Sequence, residues 1–328
     1  MTYENAKIKA EELYKKDGEH RESFLGGHFI STFKDCPRSF YFKYIMRLSS
    51  QREHSFFILG SALHGGIELF FRGHPQEVCE AYAEVYIEHN ILVYKDEERM
   101  LKDRHKAPLM IRQWFVEYVR SGIEDRYDFI EAEVEHMISL PNGYPMTVRL
   151  DRLMFDKELA RYVIFDIKTT SRSLATPING LKLGDQALMY LYAVKQVYGS
   201  DPAGLVADVI YHRDLVGGPK IECTRSQPLT FSPYAFIQWE MNTIAWLSEI
   251  SQKVKAFKLG TWPEEVLFPR KGGYGCGNCP FNDICRRKIN VDELPSGFVR
   301  DTWSGGTEAM VLLQSDRYDD RMLYKEGE

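Results

Sequence analysis

Two acids and a lysine can hydrolyse an ester or phosphodiester if the chain brings them together, and the stretch from Val148 to Thr170 is written to do so. V-R-L-D-R-L-M-F-D (Val148 to Asp156) and Y-V-I-F-D-I-K-T-T (Tyr162 to Thr170) each have the β-branched, aromatic and near-alternating character of a strand, and Asp156 to Arg161 lies between them as turn material. The simplest reading is a hairpin. Asp151 and Asp166 then sit on neighbouring strands, and Lys168, two residues after Asp166, points to the same face. A pair of carboxylates in open geometry suits a hard divalent cation such as Mg²⁺ or Mn²⁺, and an ammonium beside them can steady a phosphate or polarise a water. An isolated D-x-K also fits a strand pair whose charges simply face solvent, so its surroundings must decide.

A second chemistry-bearing cluster is Cys276-x2-Cys279-x5-Cys285, set in G-Y-G-C-G-N-C-P-F-N-D-I-C-R-R. Three thiolates so close can wrap one metal centre but leave a four-coordinate site one ligand short. Cys36, in D-C-P-R-S-F-Y-F-K-Y, has the most motif-like setting of the remaining cysteines; Cys79 and Cys223 read as small hydrophobes on a helix and a strand. Ligand type alone leaves zinc and an iron–sulfur cluster both open. His64 lies on an apolar helical stripe, where a hydrogen-bonded core histidine is the plainer reading. Gln186 and Tyr190 stand one helical turn apart on one face, a pairing also common on helix surfaces.

The elements around these residues alternate. Residues 1–28 are expected to form a leader helix or mobile arm. A helix starting at the hydroxyl cap Ser31 carries Cys36 and the aromatics Phe40 to Tyr44, and a second one starting near Leu59 carries His64. Residues 75–127 read as a helical insertion or lobe with a charged interruption from Lys95 to Lys106. Phe129 to Leu140 alternates Glu131, Glu133 and Glu135 with Ala132 and Val134, a strand with its acids on a wet face. After the hairpin come a loop (Ser171 to Gly184), a helix (Asp185 to Tyr198), strands at Leu205 to His212 and Ile221 to Leu229, and a long helix from Ser232 to Phe257. Residues 289–328 lose periodicity and are expected to be a loosely ordered tail. The order predicts an α/β core.

Composition narrows the function classes. The 328 residues carry a formal net charge of −5, which disfavours a general polyanion-coating protein but permits a local basic groove. No run is long and apolar enough to span a membrane and the N-terminus lacks a signal-peptide core, so a cytoplasmic chain is expected. Six cysteines in a chain of this size do not resemble a secreted disulfide framework.

Read in order, C-P-R-S-F-Y-F-K-Y, G-S-A-L-H, L-D-R-L, I-F-D-I-K-T-T, Q-A-L-M-Y and C-x2-C-x5-C resemble the RecB-like branch of the PD-(D/E)XK nucleases. Within that branch they resemble the iron–sulfur nucleases that include the AddB nuclease domain and the CRISPR-associated adaptation exonucleases. The resemblance covers Ser31 to Arg287 and implies a restriction-endonuclease-like core, a central mixed sheet flanked by helices, over residues 29–288. It also implies an end clamped by a cluster segment at 270–288. By the same resemblance His64, Asp151 and Asp166 are metal ligands, the carbonyl of Ile167 is a further one, and Asp151, Asp166 and Lys168 are catalytic. Gln186 and Tyr190 would line the site and contact DNA, and Cys36, Cys276, Cys279 and Cys285 would hold a [4Fe–4S] cluster. Gly60 stands at the glycine of the family's Gly-x-x-x-His, whereas Arg149 departs from the small residue expected before Asp151. The implied activity is a Mg²⁺- or Mn²⁺-dependent DNA exonuclease in recombination, repair, replication or DNA capture. With no Walker A loop in the sequence, the chain resembles the shorter stand-alone members and is expected to work alone or beside a helicase, recombination or integration partner. A non-catalytic iron–sulfur DNA-binding subunit is the alternative.

Overall fold

A computed structural model describes residues 1–17, 26–50, 55–91, 97–286 and 298–300. Along the chain run α1 (Tyr3–Asp17), α2 (Gly27–Asp35), α3 (Pro37–Phe40), a π turn (Tyr41–Ile45), β1 (Leu48–Ser50), α4 (Ser55–Phe71), α5 (Gln76–His89), α6 (Glu97–Arg120) and α7 (Ile123–Arg126). There follow β2 (Tyr127–Ser139), β3 (Pro145–Asp156), β4 (Arg161–Thr170), α8 (Ala175–Leu183), α9 (Asp185–Tyr198), β5 (Gly204–Leu215), β6 (Gly218–Arg225), α10 (Pro233–Lys258), α11 (Glu264–Leu267), α12 (Asn282–Arg286) and β7 (Phe298–Arg300). Most of the expected loose tail, residues 289–328, lies outside the described residues; within it, β7 pairs antiparallel with β1.

The chain divides into two compact units. In the first (1–21, 53–136 and 149–232), a five-stranded mixed sheet has the order β2-β3-β4-β5-β6. The expected hairpin is β3–β4, antiparallel in a register that pairs Asp156 with Arg161 and Arg152 with Phe165. β4 and β5 are parallel, as a strand–helix–strand crossover through α8 and α9 allows, and β6 returns antiparallel. Leu59, Leu63 and Ile67 of α4 share one buried core with Val78 and Ile87 of α5, Met110 and Trp114 of α6, and Val163, Phe165 and Ile167 of β4.

Several expectations change at this level. Residues 75–127 are helical, but their helices belong to the sheet's own core and do not form a separate lobe. The supposed charged interruption, from Glu97 on, is part of α6, its first two residues lying outside the described ones: Asp103 and Lys106 are buried and paired at 3.0 Å, with Lys106 also 3.0 Å from Asp214. The leader is no loose arm, because Ala6 and Ala10 of α1 are fully buried in the same core and Lys7 reaches Glu88 at 3.0 Å. The segment 171–184, expected to be loop, contains α8.

Asp156 also changes role. It ends β3 fully buried; its Oδ2 accepts from Arg126 Nε and Nη2 (3.0 and 2.7 Å), and its Oδ1 accepts the backbone N–H groups of Glu158 and Leu159 (2.9 and 3.1 Å). These contacts outweigh burial and hold its carboxyl below the usual range. A residue read as turn surface is the anchor of the turn.

The second unit (22–52, 137–148 and 233–328) contains α2, α3, α10 and the cysteine segment. The single helix expected from Ser31 onward is broken at Cys36, whose extended backbone (φ −161°, ψ 108°) follows from the proline after it; Pro37 then opens α3 as its first residue. Phe29, Phe33 and Phe40 interlock edge to face, and Tyr41 stacks on Phe268.

Replacing Asp156 by Ala removes four hydrogen bonds, two of them charge-assisted, and should cost about 2–3 kcal/mol of unfolding free energy in a denaturant titration. A loss below about 0.5 kcal/mol, the usual scale for a plain surface site, would remove Asp156 from the anchoring role.

Candidate active site

The ladder between β3 and β4 runs only as far as Arg152 opposite Phe165. Continuing that register sets Asp151 across from Asp166, and there a side chain replaces the ladder: the N–H of Ile167 donates to Asp151 Oδ2 at 2.8 Å. Strand alternation sends Asp151 to one face and Arg152 to the other. Arg152 is buried beside Asp208 (2.7 Å), and its guanidinium lies 4.8 Å from the ring centroids of both Phe71 and Phe165. Burial would raise the Asp208 carboxyl, but Arg152 and Arg225 hold it low. The back of the strand is thus locked while Asp151 faces the site.

α4 delivers His64. Its glycines matter at Gly65 and Gly66, not at Gly60. A Cβ on Gly66 would lie 2.9 Å from the carbonyl oxygen of Cys79, and one on Gly65 2.6 Å from the Tyr82 ring, whereas one on Gly60 would make only an ordinary 4.0 Å contact with Thr169. Close approach of α4 to α5 therefore needs the two glycines after His64. His64 Nε2 lies 3.0 Å from the carbonyl oxygen of Ile167, and Nδ1 lies 3.4 Å from both Asp151 Oδ2 and Glu133 Oε1. Burial favours the neutral imidazole, but Asp151 and Glu133 outweigh it and raise its pKa to about 9.

Asp166 is fully buried. Its Oδ1 accepts from Lys168 Nζ at 2.8 Å and from Gln186 Nε2 at 3.3 Å, while its Oδ2 has no partner among the described residues. Burial raises its pKa to about 6 against the lowering pull of Lys168. Burial would lower the Lys168 ammonium, but Asp166 and Asp151 raise it on balance, so Lys168 stays charged. That suits a group that orients a water or a phosphate better than one that removes a proton. The Lys168 side chain is 27 % exposed and that of His64 21 %, so solvent enters from their side.

The resemblance had Gln186 and Tyr190 lining the site and contacting DNA. Both are on α9 as expected, but the Gln186 amide donates to Tyr190 Oη at 2.9 Å as well as to Asp166, and Tyr190 is buried at 6 % exposure. Burial first, then Asp151 and Asp166, raises the phenol well above its ordinary pKa, so it remains protonated. The pair is tied to the carboxylate. Leu188 and Leu191 of the same helix are buried.

Sequence reasoning missed Glu133. The acids of β2 were placed on a wet face, yet Val134 is 40 % exposed while the Glu131 and Glu133 side chains are 13 % and 11 % exposed. A left-handed backbone at Glu133 (φ 53°) interrupts the alternation, and no residue type in the sequence announces it. Among the described residues, His64, Glu133 and Asp151 form a group whose ligand atoms all lie within 4.8 Å of one another. Arg149, where a small residue was expected, is accommodated by Glu135 at 3.6 Å.

Far along the sequence, the six cysteines are free. Burial, then the charges of Cys36, Cys285 and Cys276, raise the Cys279 thiol; burial likewise raises Cys285, opposed by Arg270 and Arg38. The four thiols expected to act together therefore lie in one electrostatic neighbourhood, whereas Cys79 is buried in the first unit's core and Cys223 packs against that core.

A family model described as the PD-(D/E)XK nuclease superfamily matches residues 29–286. A solved structure described as "Crystal structure of SSO0001" aligns over 88 % of this chain and 97 % of that chain at 15 % identity, with a TM-score of 0.35. No curated protein matches the chain.

If His64, Asp151 and Asp166 are metal ligands, Mn²⁺ at a hundredfold excess over its Kd should stabilise the protein by about 2.7 kcal/mol. EDTA and Asp151→Asn should each abolish the gain in thermal melts. Leu191→Ala, a truncation inside the core, should cost about 2–5 kcal/mol and keep the metal-dependent gain. A melting temperature of the unmodified protein indifferent to Mn²⁺ would exclude the assignment.

Proposed function

Starting from the membership of this chain in the PD-(D/E)XK nuclease superfamily, we propose that it is a divalent-metal-dependent deoxyribonuclease of the RecB-like, iron–sulfur type. It acts in the cytoplasm as an exonuclease on single strands or DNA ends, alone or beside a helicase, recombination or integration partner. The observation that most supports hydrolytic chemistry is Asp166 Oδ2: a buried carboxylate oxygen with no partner among the described residues, next to a charged lysine, is costly unless a cation completes it. Asp151 and His64 lie 3.4 Å apart and their charges act on Asp166, so the donor set of oxygens and an imidazole fits Mg²⁺ or Mn²⁺.

In this reading His64, Asp151, Asp166 and the Ile167 carbonyl hold the ion. When bound, it withdraws charge from the scissile phosphate and lowers the pKa of a water. Every other contribution comes from the chain. The Lys168 ammonium, held by Asp166, orients the attacking water and offsets charge that develops on the phosphate. The Gln186 amide fixes Asp166, and the Tyr190 hydroxyl fixes Gln186, so this pair acts on DNA through the position of that carboxylate.

The cysteines are read as a [4Fe–4S] site. Cys36, Cys276, Cys279 and Cys285 are free thiols whose charges act on one another, and four cysteine ligands are a complete set for such a cluster. Free cysteines throughout suit a reducing compartment.

Anaerobically purified protein should degrade end-labelled DNA with Mn²⁺ or Mg²⁺, and Asp166→Ala and Lys168→Ala should reduce the rate by at least about 10³-fold, the scale of losing a charge-stabilising group. Wild-type protein that binds Mn²⁺ but leaves single- and double-stranded DNA intact would favour the non-catalytic binding subunit.

The same preparation should be brown with about four irons per chain. Cys36→Ala should lose the colour, and Cys79→Ala and Cys223→Ala should keep it. Colourless protein with one zinc would overturn the iron assignment.

A further inference from the structure

We propose that Glu133 is a further ligand of the divalent cation, joining His64 Nδ1 and Asp151 beside the Asp166 carboxylate. The proposal rests on the nuclease reading only for the identity of the ion as a hard divalent cation; Glu133 lies outside the ligand set named there.

Charge balance comes first. Three carboxylates, Glu133, Asp151 and Asp166, surround one lysine, and Lys168 is committed to Asp166 at 2.8 Å. Asp151 and Glu133 both lie 3.4 Å from His64 Nδ1. A divalent cation in place of the imidazole's proton would neutralise both. The geometry agrees: ligands held at about 2.1 Å from an octahedral ion lie roughly 3–4 Å from one another, and the three atoms here all lie within 4.8 Å. An independent sign of a ligand is the neighbouring Asp166, fully buried with its Oδ2 unpartnered among the described residues. Asp166 does not join the compact trio, so the trio supplies its own two carboxylates and Asp166 adds to the site from the adjoining strand.

The backbone provides a way to test the idea. Glu133 adopts φ 53°, a conformation a glutamate rarely takes without compensation, whereas glycine adopts it freely. If the carboxylate is there to bind metal, Glu133→Gly removes both the strain and the repulsion with Asp151. The metal-free variant should then melt about 2–4 °C higher than wild type, and its Mn²⁺ affinity, read by electron paramagnetic resonance of free Mn²⁺ or by calorimetry, should fall at least tenfold. Glu133→Gln, which keeps the shape, should lose affinity to a similar degree, and Glu135→Gln, two residues along β2, should bind Mn²⁺ as wild type does. A structural Glu133 predicts the opposite pattern, a lower melting temperature for Glu133→Gly with Mn²⁺ affinity unchanged in Glu133→Gln, and that result overturns the proposal. DNA hydrolysis measured on the same wild-type sample separates the two readings. Mn²⁺ binding that needs Glu133 without DNA cleavage sinks the nuclease and keeps the ligand; cleavage with unaltered Mn²⁺ affinity in Glu133→Gln does the reverse.

Discussion

Crowding like charges into a shielded place is the constraint on which this structure turns. Asp166 is fully buried and Asp151 and Glu133 are nearly so, and carboxylates at this depth are stable only when every oxygen is answered by a donor or a cation. Most of the answers are visible. Lys168 and Gln186 donate to Asp166, the Ile167 amide donates to Asp151, and His64 lies between Asp151 and Glu133. Among the described residues one oxygen of Asp166 is left over, and three carboxylates outnumber the one lysine beside them. A site built this way is incomplete as a hydrogen-bonded core among the described residues and offers a candidate seat for a cation.

Holding such a site requires rigidity behind it. The face of β3 opposite Asp151 carries Arg152, buried against Asp208 with Phe71, Trp114 and Phe165 around its guanidinium, and Trp114 Nε1 donates to Asp208 at 3.3 Å. Replacing one partner of this group would strand a buried charge, so the strand cannot easily slide or twist. On the helix side, Gly65 and Gly66 let α4 approach α5 closely enough to fix the depth at which His64 enters. The geometry of the candidate site is thereby set by packing on the faces turned away from it.

Separate local rules shape the second unit. Pro37 forces the preceding residue out of helical backbone, so Cys36 sits at a break between α2 and α3 instead of inside a continuous helix, where its thiol would be one more side chain on a helical face. The aromatics following it pack: Phe40 and Tyr41 are buried against Phe29, Phe33 and Phe268.

What the sequence determined by itself was whatever depends on short-range period and residue type. The β3–β4 hairpin, the coincidence of Asp166 and Lys168 on one face, helix α9 and the long helix α10 were all legible because alternation, 3.6-residue spacing and a proline at a helix start act over a few residues. Tertiary structure decided the rest, because it depends on partners distant in the chain. Asp103 and Lys106 read as a surface interruption until their burial against each other and Asp214 was seen. Asp156 read as a turn residue until Arg126, 30 positions earlier, closed on it. Glu133 read as one of three equivalent solvent-facing acids, and only the tertiary structure, with a left-handed backbone at Glu133 that no residue type announces, sets it beside His64 and Asp151.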